Sequence, residues 1–226
     1  MRGRPGSFTS QRLAALADLG VVLALSFLGL AQARRLLLLT AGAALGPDPG
    51  LWGLAAREVL AESSPPTPPL YPLLVASLAG APERLIDRGV LVSAGAAALL
   101  PALVWFASRV AGTTRVGAAL AGALALASLD RALIGTWLGP DALAGVTLVI
   151  AAGTWSWDSK ARSAPLLAGV ALGVAALTRE QGLGVAILVA SGFALSPGRP
   201  WRERALAPSA LFGVLLLAPL VLTGDR

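Results

Sequence analysis

Ala44–Leu78, ALGPDPGLWGLAAREVLAESSPPTPPLYPLLVASL, is the longest polar interruption in a chain that is otherwise mostly apolar. It sets Asp48 between two prolines, continues into a short amphipathic run, and closes on a proline cluster ending Pro-Pro-Leu-Tyr-Pro. Gly50–Glu62 reads as a short helix with Leu51, Trp52, Leu54, Ala55, Val59 and Leu60 on its apolar face. Arg57, Glu58 and Glu62 take the other side, a pattern suited to a helix lying in a membrane interface. Pro65, Pro66, Pro68 and Pro69 then predict a stiff extended segment. Tyr71-Pro72 leads into the apolar stretch Leu73–Ala79, and Glu83, Arg84, Asp87 and Arg88 close the interruption. On either side of it the chain reads as membrane-spanning helix.

Composition supports that reading. Hydrophobic residues make up 56% of the 226 and charged residues 13%, with a mean hydropathy of +0.74. An ordinary globular domain is about 25% charged. The chain has no cysteine and no histidine, so thiol nucleophiles, disulfides, histidine bases and Cys/His zinc sites are excluded. Proton transfer would have to use Asp, Glu, Tyr, Lys or water. The net charge of +6 is scattered between apolar blocks rather than gathered on one face, which argues for membrane topology and against a nucleic-acid partner.

Apolar blocks approaching the roughly 20 residues that cross a bilayer recur along the chain. They predict spans at Leu13–Ala33, Gly89–Arg109, Val116–Ser128, Asp141–Trp155, Leu166–Leu177, Gly182–Leu195 and Ala205–Leu222. The expected fold is therefore all-α, a polytopic transmembrane helix bundle of about seven spans (six to eight) forming a single domain over residues 1–226. Residues 1–12 form a basic cytoplasmic tail, and 44–88 form the first extracytoplasmic loop with its helix hairpin. Pro101 lies inside the second span, where membrane helices tolerate it. Trp155 and Trp157 are placed like an interfacial belt, and Gly169 and Gly173 have the spacing of a close helix contact.

Alternating the connections from a cytoplasmic N-terminus puts ten basic residues and three acids on the inner side, a net of +7. The other side receives eight arginines and nine acids, a net of −1, and the two sides together give the chain's +6. This asymmetry follows the positive-inside rule and places Ala44–Leu78 outside the cytoplasm. The expected location is a bacterial inner membrane. Nearly every charge falls in a loop or at a span end, whereas transporters tend to carry ionisable groups within their spans.

The order of these features resembles the C-type membrane glycosyltransferases, in particular the branch of protein mannosyltransferases and lipid A aminoarabinose transferases. The resemblance rests on an acid after the first span, an interfacial helix, a Pro-Leu-Tyr-Pro step and a helix hairpin. LLAGVALGVAALTREQGLGV is similar to a stretch recurrent in that group, and GPDALAG at Gly139–Gly145 to the segment opening a later span. Two departures stand out: Pro49 occupies the place of a second acid, and relatives usually continue into further spans and a soluble domain. The resemblance therefore also implies a fragment or a reduced homologue.

The resemblance implies transfer of a sugar from a polyprenyl-phosphate donor to a lipid, glycan or protein acceptor at the extracytoplasmic face. Read from the residues alone, Asp48 is an acid in a Pro-Asp-Pro-Gly turn; the resemblance makes it the general base on the acceptor hydroxyl. Arg34, Arg35 and Arg179 become candidates for the carrier phosphate, which arginine binds in bidentate fashion. Tyr71 and Asp141 complete the expected substrate-binding set. From the residues alone, Arg34 and Arg35 also read as interfacial anchors, Tyr71 as a loop-positioning aromatic, and Arg179-Glu180 as a local ion pair. No metal ligands stand out and the cofactor is left open, a divalent metal being compatible with the resemblance. The alternative expectation is a non-catalytic membrane subunit or truncated homologue that binds lipid or a partner protein.

Overall fold

The computed structural model describes residues 7–39, 47–61, 69–134, 140–157, 163–197 and 200–223, and within these all the regular structure is helix. The helices are α1 (Ser7–Leu39), α2 (Pro47–Leu60), α3 (Leu70–Ala79), α4 (Leu85–Val110), α5 (Arg115–Ile134), α6 (Asp141–Ser156), α7 (Ala164–Thr178), α8 (Glu180–Leu195) and α9 (Trp201–Thr223). A short 3₁₀ turn at Pro82–Arg84 leads into α4.

α4 is the hub, packed against α1, α5 and α6, while α7 joins α6 to α8 and α9. Ala33 of α1 packs with Ala94, Ala97 and Ala98 of α4, and Leu126 and Ala142 close over them. Toward the other end Leu25 of α1 meets Ala102 and Trp105 of α4 and Ala118 of α5. These two clusters make α1 and α4 antiparallel. They also bring the start of α4, the start of α6 and the finish of α1 to one end of the bundle, which we call the hairpin end after α2 and α3. α2 and α3 form a satellite there, with Ala56, Tyr71, Val75, Ala76, Ala79 and Leu85 buried together and Leu143 packed against them.

Alanine and glycine set the spacing. The buried residues are largely alanines, so the helices approach closely. At Gly173 a Cβ would lie 2.6 Å from Val214 Cβ, and at Gly169 2.7 Å from Ala210 Cβ, so the expected close contact is the seam between α7 and α9. Two turns need left-handed backbone: Gly80 (φ 64°) ends α3, its N–H bonding Ala76 O at 3.0 Å, and Gly112 (φ 87°) links α4 to α5.

Several expectations change. By length and hydropathy, two helical stretches among the described residues can cross a membrane, Leu13–Arg35 and Pro82–Val110, against about seven expected. α6, α7 and α8 have only 15 or 16 residues. At about 1.5 Å per residue they fall short of a hydrocarbon layer of ~30 Å. α1 starts within the expected tail and runs past Arg34 and Arg35, which lie in its body rather than closing it. α2 starts at Pro47 rather than Gly50, because prolines in a first turn remove only N–H groups that have no helical partner. For the same reason α3 starts ahead of Tyr71 and includes Pro72, and Pro69 is helical (φ −84°, ψ −26°) rather than extended. Pro65, Pro66 and Pro68 lie outside the described residues.

Candidate functional site

The hairpin end gathers the residues singled out in the sequence. Arg34 and Arg35 follow the buried Ala33 near the finish of α1, and both are exposed. Ala142, packed on the same cluster as Ala33, is the neighbour of Asp141, the first residue of α6. Asp141 forms an ion pair with Arg179, so two candidates distant in sequence meet directly. The side chain of Glu180, the expected local partner of Arg179, lies outside the described residues. Asp48 lies in the first turn of α2, not in a turn ahead of it; its side chain falls outside the described residues.

The corner that presents Arg179 has a clear local origin. Arg179 is extended (φ −150°, ψ 144°), which breaks the helix between Thr178 and Glu180 and makes Arg179 both the end of α7 and the start of α8. α8 folds straight back along α7, and the close approach depends on Gly182, where a Cβ would collide with the backbone carbonyl of Ala175. Thr178 is fully buried beneath the corner and donates its hydroxyl to Val174 O at 2.6 Å. Arg179 is thereby projected from a rigid turn. Asp141 gains from its place at a helix N-terminus, where the helix dipole favours negative charge. The side chains of Arg179 and Asp141 are 36% and 28% exposed, so the pair adds little to stability while remaining open to a competing anion.

Tyr71 plays a different part. It is fully buried, donates to Gly89 O at 3.1 Å and lies 2.7 Å from Ser93 Oγ. With its single proton directed to the carbonyl, the phenol oxygen accepts from Ser93. The hydroxyl therefore braces α3 on α4, and the positioning reading of Tyr71 fits this geometry better than contact with substrate. Burial pushes the phenol up to about 12, partly offset by the Ser93 hydrogen bond. Sequence reading did not single out Gly89, Ser93 or Gly182. The one legible signal was Ser93, a lone hydroxyl in an apolar block.

Among the described residues no three carboxylates come together as a metal-binding group. Comparison with known proteins gave no match, whether among family models, curated proteins or solved structures. Among the described residues the fold is an all-helical bundle with two helices long and apolar enough to cross a membrane, and one end carries a partly exposed arginine–carboxylate pair, with Arg34 and Arg35 exposed at the same end.

Proposed function

We propose that the chain is membrane-embedded and serves a glycosyltransferase that moves a sugar from a polyprenyl-phosphate carrier to a lipid, glycan or protein acceptor. One observation carries this reading: Arg34, Arg35, Asp141 and Arg179, taken from three separate stretches of sequence, converge on the end of the bundle that holds the α2–α3 hairpin. In this reading Asp48 removes the acceptor proton. The phosphate of the carrier competes with Asp141 for the Arg179 guanidinium, with Arg34 and Arg35 exposed at the same end. Tyr71 keeps the hairpin, and so the first turn of α2, in place over α4.

The finer topology belongs to the same proposal: about seven passes in an inner membrane with the N-terminus cytoplasmic. Two ion pairs support it, since Asp141–Arg179 and Asp18–Arg115, at opposite ends, each join residues that the charge asymmetry assigns to one side. The short α6, α7 and α8 would then cross where the bilayer thins around the bundle.

The decisive test is transfer from polyprenyl-phosphate sugars by purified protein in vesicles, comparing the unaltered chain with Asp48→Asn. Loss of transfer with normal membrane insertion is expected, and retained transfer by the variant would falsify the base assignment. A second reading, a non-catalytic membrane subunit that binds lipid or a partner, is favoured by the internal satisfaction of Tyr71 and of the Asp141–Arg179 pair. Absence of turnover across donors, with carrier lipid still bound, would select it.

A further inference from the structure

The end of the bundle opposite the hairpin carries cations that the proposed transfer does not use. Arg109 lies in the last turn of α4, Arg115 opens α5, and Arg202 and Arg204 lie in the first turn of α9. These termini share one end. α1 runs antiparallel to α4, and the Asp18–Arg115 bond of 2.8 Å ties the N-terminal part of α1 to the start of α5. Trp157, just past α6, meets Phe106 of α4 edge to face at 6.3 Å, and Trp155 stacks on Phe193 near the finish of α8 at 4.2 Å. The α7–α9 seam pairs Gly169 with Ala210 and Gly173 with Val214, so α9 runs parallel to α7 and starts where α6 finishes.

The charges here are unevenly satisfied. Asp18 engages Arg115. Arg109 donates from Nη1 to Thr113 O at 2.6 Å and pairs with no carboxylate among the described residues. Arg202 stands 5.8 Å from the centroid of the Trp201 ring. The Nε of Arg109 and that of Arg204 are buried and have no hydrogen-bond partner among the described residues. Glu203 lies between Arg202 and Arg204 in the first turn of α9, and the connections between these helix ends add Lys160, Arg162 and Arg199 against Asp158 in sequence.

Two features choose the partner. The cations sit on termini spread from α4 and α5 on one side of the bundle to α9 on the other, with α6 and α7 between them, which fits a plane of anions better than one small ligand. Each row also continues into exposed apolar surface: Val116, Leu120 and Leu124 follow Arg115 along α5, and Leu206, Phe212 and Leu216 follow Arg204 along α9. Trp157 and Trp201, 49% and 68% exposed, stand at the boundary. A nucleic acid would meet the guanidiniums and leave those leucines and rings uncovered. A phospholipid supplies a phosphate to the first and acyl chains to the second.

We propose that this end binds anionic phospholipid headgroups, with Arg109, Arg202 and Arg204 as the phosphate contacts and Trp157 and Trp201 seated beside them. The proposal rests on the membrane reading above and not on glycosyl transfer. Its test uses the full chain in phosphatidylcholine vesicles containing increasing brominated phosphatidylglycerol or, separately, brominated phosphatidylcholine, with tryptophan fluorescence as readout. Brominated phosphatidylglycerol should quench at a several-fold lower mole fraction. The combined variant Arg109→Gln, Arg202→Gln, Arg204→Gln should bring the two curves together, while Arg57→Gln, Arg84→Gln at the hairpin end should leave them apart. Coincident curves for the unaltered chain, or a preference that survives the triple variant, overturn the proposal. Failure of both brominated lipids to quench would remove the membrane reading itself. Inorganic phosphate that abolishes the preference at constant ionic strength would reassign the site to the free anion.

Discussion

Tyr71 shows how a residue chosen for one role acquires another from its surroundings. Its phenol is fully buried, with Gly89 O and Ser93 Oγ as partners. Tyr71→Phe would leave those two groups without it, at an expected cost of about 1–3 kcal/mol in equilibrium unfolding. The same burial has a pH signature. Because the folded phenol is raised to about 12, its contribution is fully present below the unfolded value near 10. It is lost as pH rises through the folded value, so denaturation midpoints should fall between pH ~10 and ~12 in the parent and stay flatter in Tyr71→Phe. Arg179 is the contrasting case. Arg179→Gln should change stability by less than about 1 kcal/mol, since the pair is partly exposed. On the proposed function it should weaken carrier binding by about tenfold, as loss of a charge-assisted phosphate contact does. Equal losses in both measurements would make the pair structural.

Helices show where local chemistry and packing part. The predicted bounds Asp141–Trp155 and Gly182–Leu195 lie within two residues of α6 and α8, because Pro140, Arg179 and Ser196 each mark a break that the apolar pattern respects. The α2 and α3 starts were misplaced because proline was read as a helix breaker, although at a first turn it is compatible with helix. Close contacts were legible as small-residue spacing, but their partners were not. Gly169 and Gly173 could have faced any neighbour, and only the packed bundle shows α9 against them. Gly173→Leu should force α7 from α9 against Val214 and destabilise the bundle by about 1–3 kcal/mol, measured by thermal unfolding in detergent. Gly184→Leu, where a Cβ meets nothing within 4 Å, serves as control and should stay within about 0.5 kcal/mol.

The whole molecule turns on its two ends. At one end lie the α2–α3 hairpin and the Asp141–Arg179 pair, at the other the Asp18–Arg115 pair and the aromatic contacts of Trp155 and Trp157. The proposed topology puts these on opposite sides of a membrane. The chain has no cysteine, so single substitutions report cleanly. Ser77→Cys, exposed on α3, should react in intact cells with a membrane-impermeant maleimide, and Thr113→Cys, exposed in the α4–α5 turn, only after the cells are opened. Labelling of both in intact cells would remove the assigned topology.

Composition and the positions of apolar blocks were enough to determine an all-helical chain and the rough bounds of most helices, since helix follows from residues close in sequence. The polar interruption at Ala44–Leu78 was equally plain. Tertiary structure decided that Tyr71 braces α3 on α4 and that Asp141 meets Arg179. Those outcomes depend on contacts between residues far apart in sequence, made when alanine and glycine faces bring helices together. Local periodicity carries no record of such contacts.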